Sequence, residues 1–261
     1  MWDNELRIAK ETAVKAGRAI MEIYEGGGDF GVEYKADDSP LTKADKASNA
    51  IIVERLKDSF PGYAILSEEE KDNRSRLEND LCFVVDPLDG TKEFVKRNGQ
   101  FTVNIALSYK HRTVMGVIYV PVSGDLYYAS EEGGAFLEKQ DGSIECLKVS
   151  DNTDHANLRA VASDSHCAEE MERLIEKYKI KHILRIGSSL KGCLVAKGEA
   201  DVYFRHNPTM EWDTAAMQCI VEEAGGIFMQ MDDTPMLYNR EDSLNSKGFY
   251  AINSTKNRLT L

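Results

Sequence analysis

The sequence predicts an α/β fold made of two unlike halves. Three observations carry this: two apolar stripes of helical period open the chain, short strands joined by tight turns follow, and from about residue 150 strands and helices alternate. Leu6, Ala9, Ala13, Ala16, Ile20 and Ile23 recur at spacings of three and four, marking a helix with one buried face that Gly26-Gly27-Gly28 ends. After Ser39-Pro40-Leu41, Thr42 is placed to cap a second helix, whose stripe runs through Ala47, Ile51 and Leu56 to Phe60-Pro61-Gly62. The period then changes. Residues 63–66 and 81–85 are short apolar runs, and residues 102–109 alternate like a half-buried strand. Strands over 113–120, 125–130, 135–138 and 144–149 follow, separated by Pro121-Val122-Ser123-Gly124 and Asp141-Gly142, which predicts an antiparallel meander with the two helices on one face. Beyond it come a strand over 158–162, a helix over 168–178, a strand over 183–186 and a helix after Ser188. A strand over 202–205, a helix over 211–224, and strands near 227–231 and 249–252 complete the pattern, so the expected units are residues 1–150 and 151–261.

Composition narrows the function. With 261 residues, 42% hydrophobic and 29% charged, the chain builds a substantial core and is no tail or linker. A net charge of -12 argues against nucleic acid or anionic lipid as a partner, although an acidic protein still binds anionic substrates through metal ions. No secretory signal and no apolar run of membrane-spanning length are visible. Cys82, Cys146, Cys167, Cys193 and Cys219 are odd in number and widely spaced, so they read as reduced core thiols in a cytoplasmic protein. Neither Cys-x-x-Cys nor His-x-x-x-His occurs, which leaves a zinc site without ligands.

Carboxylates carry the strongest chemical signal. In Val84-Val85-Asp86-Pro87-Leu88-Asp89-Gly90-Thr91 an apolar strand ends in an acid, proline is expected to force a turn, and a second acid follows three residues later. Two anions brought together in this way call for a hard divalent cation between them, although the same text also fits a plain structural turn. Glu68 follows the strand ending at Leu66, with Glu69 and Glu70, and reads either as a ligand or as part of a solvated loop; Asp213 sits in a first helical turn, where it also simply favours the helix dipole. Gly90 and Thr91 lead into a possible short helix whose free amides suit phosphate oxygens. A threonine hydroxyl needs a carboxylate behind it to act as a base; Asp45 is the candidate, and on the residues alone it reads as the cap of its own helix.

Leu66-Ser67-Glu68-Glu69, Asp86-Pro87-Leu88-Asp89-Gly90-Thr91 and Glu211-Trp212-Asp213-Thr214-Ala215-Ala216, in that order, resemble the inositol monophosphatase-like superfamily of metal-dependent phosphatases. Three further stretches resemble its 3'(2'),5'-bisphosphate nucleotidases of CysQ type: residues 86–107 with Thr91-Lys92-Glu93-Phe94, Ser39-Pro40-Leu41-Thr42-Lys43-Ala44-Asp45, and Gly187-Ser188-Ser189-Leu190-Lys191. The resemblance implies a five-layered α/β/α/β/α sandwich with the active site between the halves. It implies Glu68, Asp86 and the Leu88 carbonyl on one Mg²⁺, Asp86, Asp89 and Asp213 on a second, and a weaker third ion at Glu68. It also pairs Thr91 with Asp45 to activate water, sets the Gly90 and Thr91 amides on the phosphate, and implies sensitivity to lithium. The implied substrate is adenosine 3',5'-bisphosphate, with its sulfate-activated relative as a second, and Gly187, Ser188, Lys191 and Arg205 lie near the nucleotide, the two cations facing its 5'-phosphate. A monomer is expected.

Two departures stand out. Ser163-Asp164-Ser165-His166 carries an anion where the family often has arginine, which weakens the nucleotide site, and Met217 replaces the glycine that usually follows Trp-Asp-Thr-Ala-Ala, from which altered helix packing alone is expected. An inositol-phosphate or sugar-phosphate phosphatase would share the metal site, but the Lys92-Glu93 text argues against it. A non-catalytic phosphate or nucleotide sensor would not need the full set of Asp45, Glu68, Asp86, Asp89, Thr91 and Asp213.

Overall fold

A computed structural model describes residues 1–35, 39–163 and 169–261. Helix α1 (Asp3–Glu25) carries the first predicted stripe, and Gly26 closes it by donating its amide to Glu22 O. Two short strands, β1 (Glu33–Tyr34) and β2 (Pro40–Leu41), pair before α2 (Lys43–Ser59), which Thr42 caps as expected. Strands β3 (Ala64–Ser67) and β4 (Leu81–Asp89), the short helix α3 (Thr91–Val95), and strands β5 (Thr102–Tyr109), β6 (Arg112–Val120), β7 (Asp125–Ser130), β8 (Gly134–Glu138) and β9 (Ile144–Cys146) follow. They form one seven-stranded sheet in sequential order, antiparallel except that β3 runs parallel to β4.

The second sheet uses β10 (Arg159–Ala162), β11 (His182–Arg185), β12 (Val202–Arg205), β14 (Ile227–Gln230) and β16 (Phe249–Ile252) in the order β11-β10-β12-β16-β14. Helices α4 (Glu169–Tyr178), α5 (Leu190–Ala196) and α6 (Glu211–Glu223) interleave with them, and β13 (Thr209–Met210) pairs with β15 (Leu244–Asn245) across the start of α6. Side-chain alternation sorts the layers. Phe83, Val85, Ile105 and Leu107 join α1 and α2, whereas Val84 and Ala106 from the same strands meet α6 residues such as Ala216 and Ile220. In the second sheet Val161, Tyr203 and Ala251 share that middle core, and Ala160, Phe204 and Tyr250 pack with Met171 and Leu174 of α4. Helix pair, sheet, helix pair, sheet, helix is the five-layered sandwich.

Three expectations need correction. β5 is not half-buried: Thr102 through Ser108 are all buried, because α6 covers the face that α1 and α2 leave open. Pro87 does not end β4 in a turn. The strand continues to Asp89 with a bulge, Asp86 pairing with Asn104 and Asp89 with Thr102, and the irregularity lets a residue without an N–H sit in the ladder. Cys146 is exposed on the edge strand β9, while Cys82, Cys193 and Cys219 are buried and all four are unpaired; Cys167 lies outside the described residues, as does Asp164. Among the described residues no helix is long and apolar enough to cross a membrane.

Candidate active site

The bulge in β4 does the work assigned above to a turn. It spaces Asp86 and Asp89 by three residues against two on β5 and points both at a cavity of about 290 Å³ between the sheets. Asp213 reaches the same place from the first turn of α6, its Oδ2 accepting the Met210 amide at 2.6 Å. One carboxylate oxygen from each of the three lies within 4.8 Å of the others. Glu68 joins from the next strand, because β3 runs parallel to β4 and the Glu68 amide bonds the Val85 carbonyl at 3.1 Å.

So much negative charge in one place shows in the titration of each group. Burial, then Glu68, Asp89 and Asp213, push Asp86 well above the usual carboxylate range, and burial with Asp89 pushes Asp213 up to about 7. Two unit charges at such separations repel by roughly 3–4 kcal/mol at an effective dielectric of about 20. The chain supplies one cation at the rim. Lys35 Nζ bridges Glu68 Oε1 and Glu69 Oε1, both at 2.7 Å, and the attraction of the two acids raises its pKa although burial opposes it. Its partner Glu68 is nevertheless raised, since burial outweighs the ion pair. The cluster is therefore short of positive charge, and its donors are all hard oxygens. This is a set that fits divalent cations of the Mg²⁺ class.

Asp45 has two jobs that the sequence had set against each other. Its Oδ2 accepts the Thr42 amide at 2.7 Å and the Thr42 hydroxyl, closing the capping box, while Oδ1 accepts the Thr91 hydroxyl at 3.1 Å. Burial, opposed by these hydrogen bonds, raises the Asp45 pKa. The Thr91 hydroxyl has a second acceptor, the Leu88 carbonyl at 3.2 Å. Gly90 between them adopts φ 93, and a Cβ there would press on the Gln100 carbonyl and on Ser188.

The opposite wall is basic. Lys191 is buried at 5% exposure, donates to Ser188 O at 2.6 Å and Ile186 O at 3.3 Å, and lies over the Tyr203 ring. Burial lowers its pKa to about 8. Arg205 is half-buried on the same wall, its Nε without a hydrogen-bond partner among the described residues. Ser188 lines the cavity; Gly187 sits behind it, its amide held by Gln100 Oε1 at 2.7 Å and its missing side chain making room for Glu93. Met217 goes beyond the helix packing expected of it: it lines the cavity, and its side chain fills the space above Gly192, where a Cβ would overlap Met217 Cγ and Sδ.

Reading the sequence missed Lys35, Asn104 and Ser189. Asp89 Oδ2 accepts the Ser189 amide at 2.6 Å and hydroxyl at 2.7 Å, with Asn104 Nδ2 at 3.3 Å and the Thr102 hydroxyl at 3.4 Å. Ser189 further accepts from Asn104 at 2.9 Å, so one hydroxyl ties the start of α5 to both β4 and β5. An amide side chain, Asn104, within the apolar run Val103 to Leu107 was the available signal.

Comparison with known proteins now adds to this geometry. Residues 1–258 match the model of the inositol monophosphatase family. The 3'(2'),5'-bisphosphate nucleotidase CysQ of Salmonella typhimurium is 39% identical over 240 residues, 92% of this chain and 96% of that protein. The CysQ of Buchnera aphidicola is 40% identical over 255 residues, covering 96% and 94%. The chain belongs to the inositol monophosphatase family, in its CysQ-type nucleotidase branch. The crystal structure of CysQ from Bacteroides thetaiotaomicron, described as a bacterial member of that family, superposes with a TM-score of 0.84 at 42% identity, covering 96% of this chain and 98% of that one. The fold is the family's own, and the clustered Asp86, Asp89 and Asp213 could hold a metal ion.

Proposed function

We propose that the protein hydrolyses the 3'-phosphate of adenosine 3',5'-bisphosphate to AMP and phosphate, with Mg²⁺ as its metal. The observation that carries this reading is one cavity with a carboxylate cluster at one end and Lys191 with Arg205 at the other, which suits a substrate bearing two phosphates. Glu68, Asp86, the Leu88 carbonyl, Asp89 and Asp213 would hold two or three ions. Bound there, they supply charge neutralisation and Lewis-acid polarisation of the phosphoryl oxygens.

The chain's own residues handle the proton. Thr91 has one hydroxyl proton and two acceptors; with the Leu88 carbonyl engaged elsewhere, it donates to Asp45 and turns its lone pairs to the cavity. Water then passes a proton to Thr91 Oγ as Thr91 passes its own to Asp45 Oδ1, so atoms and charge balance. The raised Asp45 pKa makes that carboxylate a stronger base. The Gly90 and Thr91 backbone lines the floor where the scissile phosphate would rest, and Ser188, Lys191 and Arg205 would receive the nucleotide's other end. Free thiols at all four described cysteines suit the reducing cytoplasm.

The test is phosphate release with Mg²⁺ from adenosine 3',5'-bisphosphate, inositol monophosphate and fructose bisphosphate compared at equal concentration. The nucleotide should lead by at least tenfold in kcat/KM; preference for inositol phosphate rejects the nucleotidase assignment.

A further inference from the structure

Asp86 and Asp89 share a strand, so β4 fixes their separation. Asp213 comes from α6, and its place depends on what anchors the start of that helix. That anchor is Glu211. An acidic residue in a first turn ordinarily faces water, but Glu211 is fully buried: its Oε2 accepts the Asn239 amide at 2.6 Å and its Oε1 the Arg240 amide at 3.0 Å. The Arg240 Nε lies 3.3 Å from Oε1, and the Glu211 amide bonds the Ser243 carbonyl at 3.0 Å. Residues 239–243 are thereby strapped across the first turn of α6.

The Asn239 side chain carries the link onward. Its Oδ1 accepts from Arg76 Nη1 at 2.8 Å, and its Nδ2 donates to the Arg76 carbonyl at 3.1 Å and the Asn79 carbonyl at 3.0 Å. Arg76 is buried at 3% exposure, and its Nη2 donates to the Arg240 carbonyl at 2.8 Å, Ser243 Oγ at 3.2 Å and Asp72 Oδ2 at 2.9 Å. Arg76 and Asn79 occupy the segment that leads directly into β4. Ion-forming side chains are costly to bury unless partnered, and Arg76 and Glu211 meet that cost with the contacts that join residues 239–243 to both segments.

We propose that Arg76, Asn239 and Glu211 form a clasp of positioning residues that sets Asp213 against Asp86 and Asp89, and thereby sets the affinity of the cluster for divalent cations. The inference rests on the cation reading given above. Supporting groups behind metal ligands commonly change metal affinity by about 10–100-fold when removed. The clasp acts one step further out, through the backbone of α6.

Magnesium chloride titrated calorimetrically into metal-stripped wild type, Glu211→Gln, Asn239→Ala and Arg76→Met tests it, with a melting temperature for each. Wild type takes up Mg²⁺. Glu211→Gln turns an amide donor toward a backbone N–H, and it should bind about tenfold more weakly or worse. Arg76→Met should weaken binding from the far end of the clasp, and the Glu211→Gln, Arg76→Met double variant, titrated in the same way, should be no weaker than the poorer single one, because both act through one linkage. Asn239→Ser stands in if Arg76→Met does not fold. Folded variants that melt earlier yet keep Mg²⁺ affinity within twofold overturn the proposal, as the clasp is then only structural. Failure of wild type itself to take up Mg²⁺ rejects the cation reading and the proposal with it.

Discussion

At the acidic end of the cavity two side chains are heavily hydrogen-bonded, Asp89 Oδ2 alone facing four donors and Asp45 using both oxygens. At the basic end Lys191 spends two of its three protons on backbone carbonyls and keeps one free of them, and Arg205 keeps a buried Nε without a partner among the described residues. The contrast separates two tasks. Groups that must hold a reacting geometry are over-determined by their neighbours, whereas groups that meet the substrate keep hydrogen-bonding capacity in reserve. On the proposed function, metal and chemistry would fall to the first end and choice of substrate to the second.

That division is open to breakage. Asp89→Asn removes one of the three clustered charges while leaving its hydrogen-bonding shape, and turnover should fall by about 10³-fold or more with the far-UV spectrum unchanged; a near-normal rate contradicts the scheme. Thr91→Ala should cost about 10²–10³-fold in kcat, and Thr91→Ser should recover most of it, since the proton path needs only the hydroxyl. For Ser189→Ala the Asp89 carboxylate loses the hydroxyl donor that ties it to the start of α5. The Mg²⁺ needed for half-activation should rise about tenfold, which a titration of initial rates measures. Lys191→Met belongs to the other end: KM for the bisphosphate should rise about tenfold with kcat little changed, and a 3'-monophosphate should show no such increase.

The smallest effect is one of pH. Lys191 is charged below a pKa of about 8 and neutral above it, so kcat/KM for the bisphosphate should decline as pH rises through that value. The decline should vanish in Lys191→Met. A profile unchanged by that substitution places the titration elsewhere.

Much of the acidic end was legible because its residues stand where short patterns change: Asp86 where an apolar strand meets proline, Asp213 one turn into a helix, Asp45 three residues after its cap. Local text sets such positions. Bonds between distant segments were not legible. Lys35 meets Glu68 from 33 residues away and Ser189 meets Asp89 from 100, pairings that exist only once the chain has folded. The bulge escaped for a related reason, since proline after a strand reads as a stop unless the partner strand is known to absorb the extra residue. Burial of β5 on both faces was likewise hidden, because α6, which covers the second face, comes more than a hundred residues later.

Met217 and Gly192 share one volume, and neither can be enlarged without the other yielding. Substituting Gly192→Ala alone forces methionine into the substrate space or pushes α5, with Lys191 on it, off its seat. With glycine in place of Met217, the vacated room would be free for bulk at position 192. The two sites should therefore drift through sequence space as a linked exchange of sizes, small for large and large for small, keeping the wall continuous while altering which residue builds it.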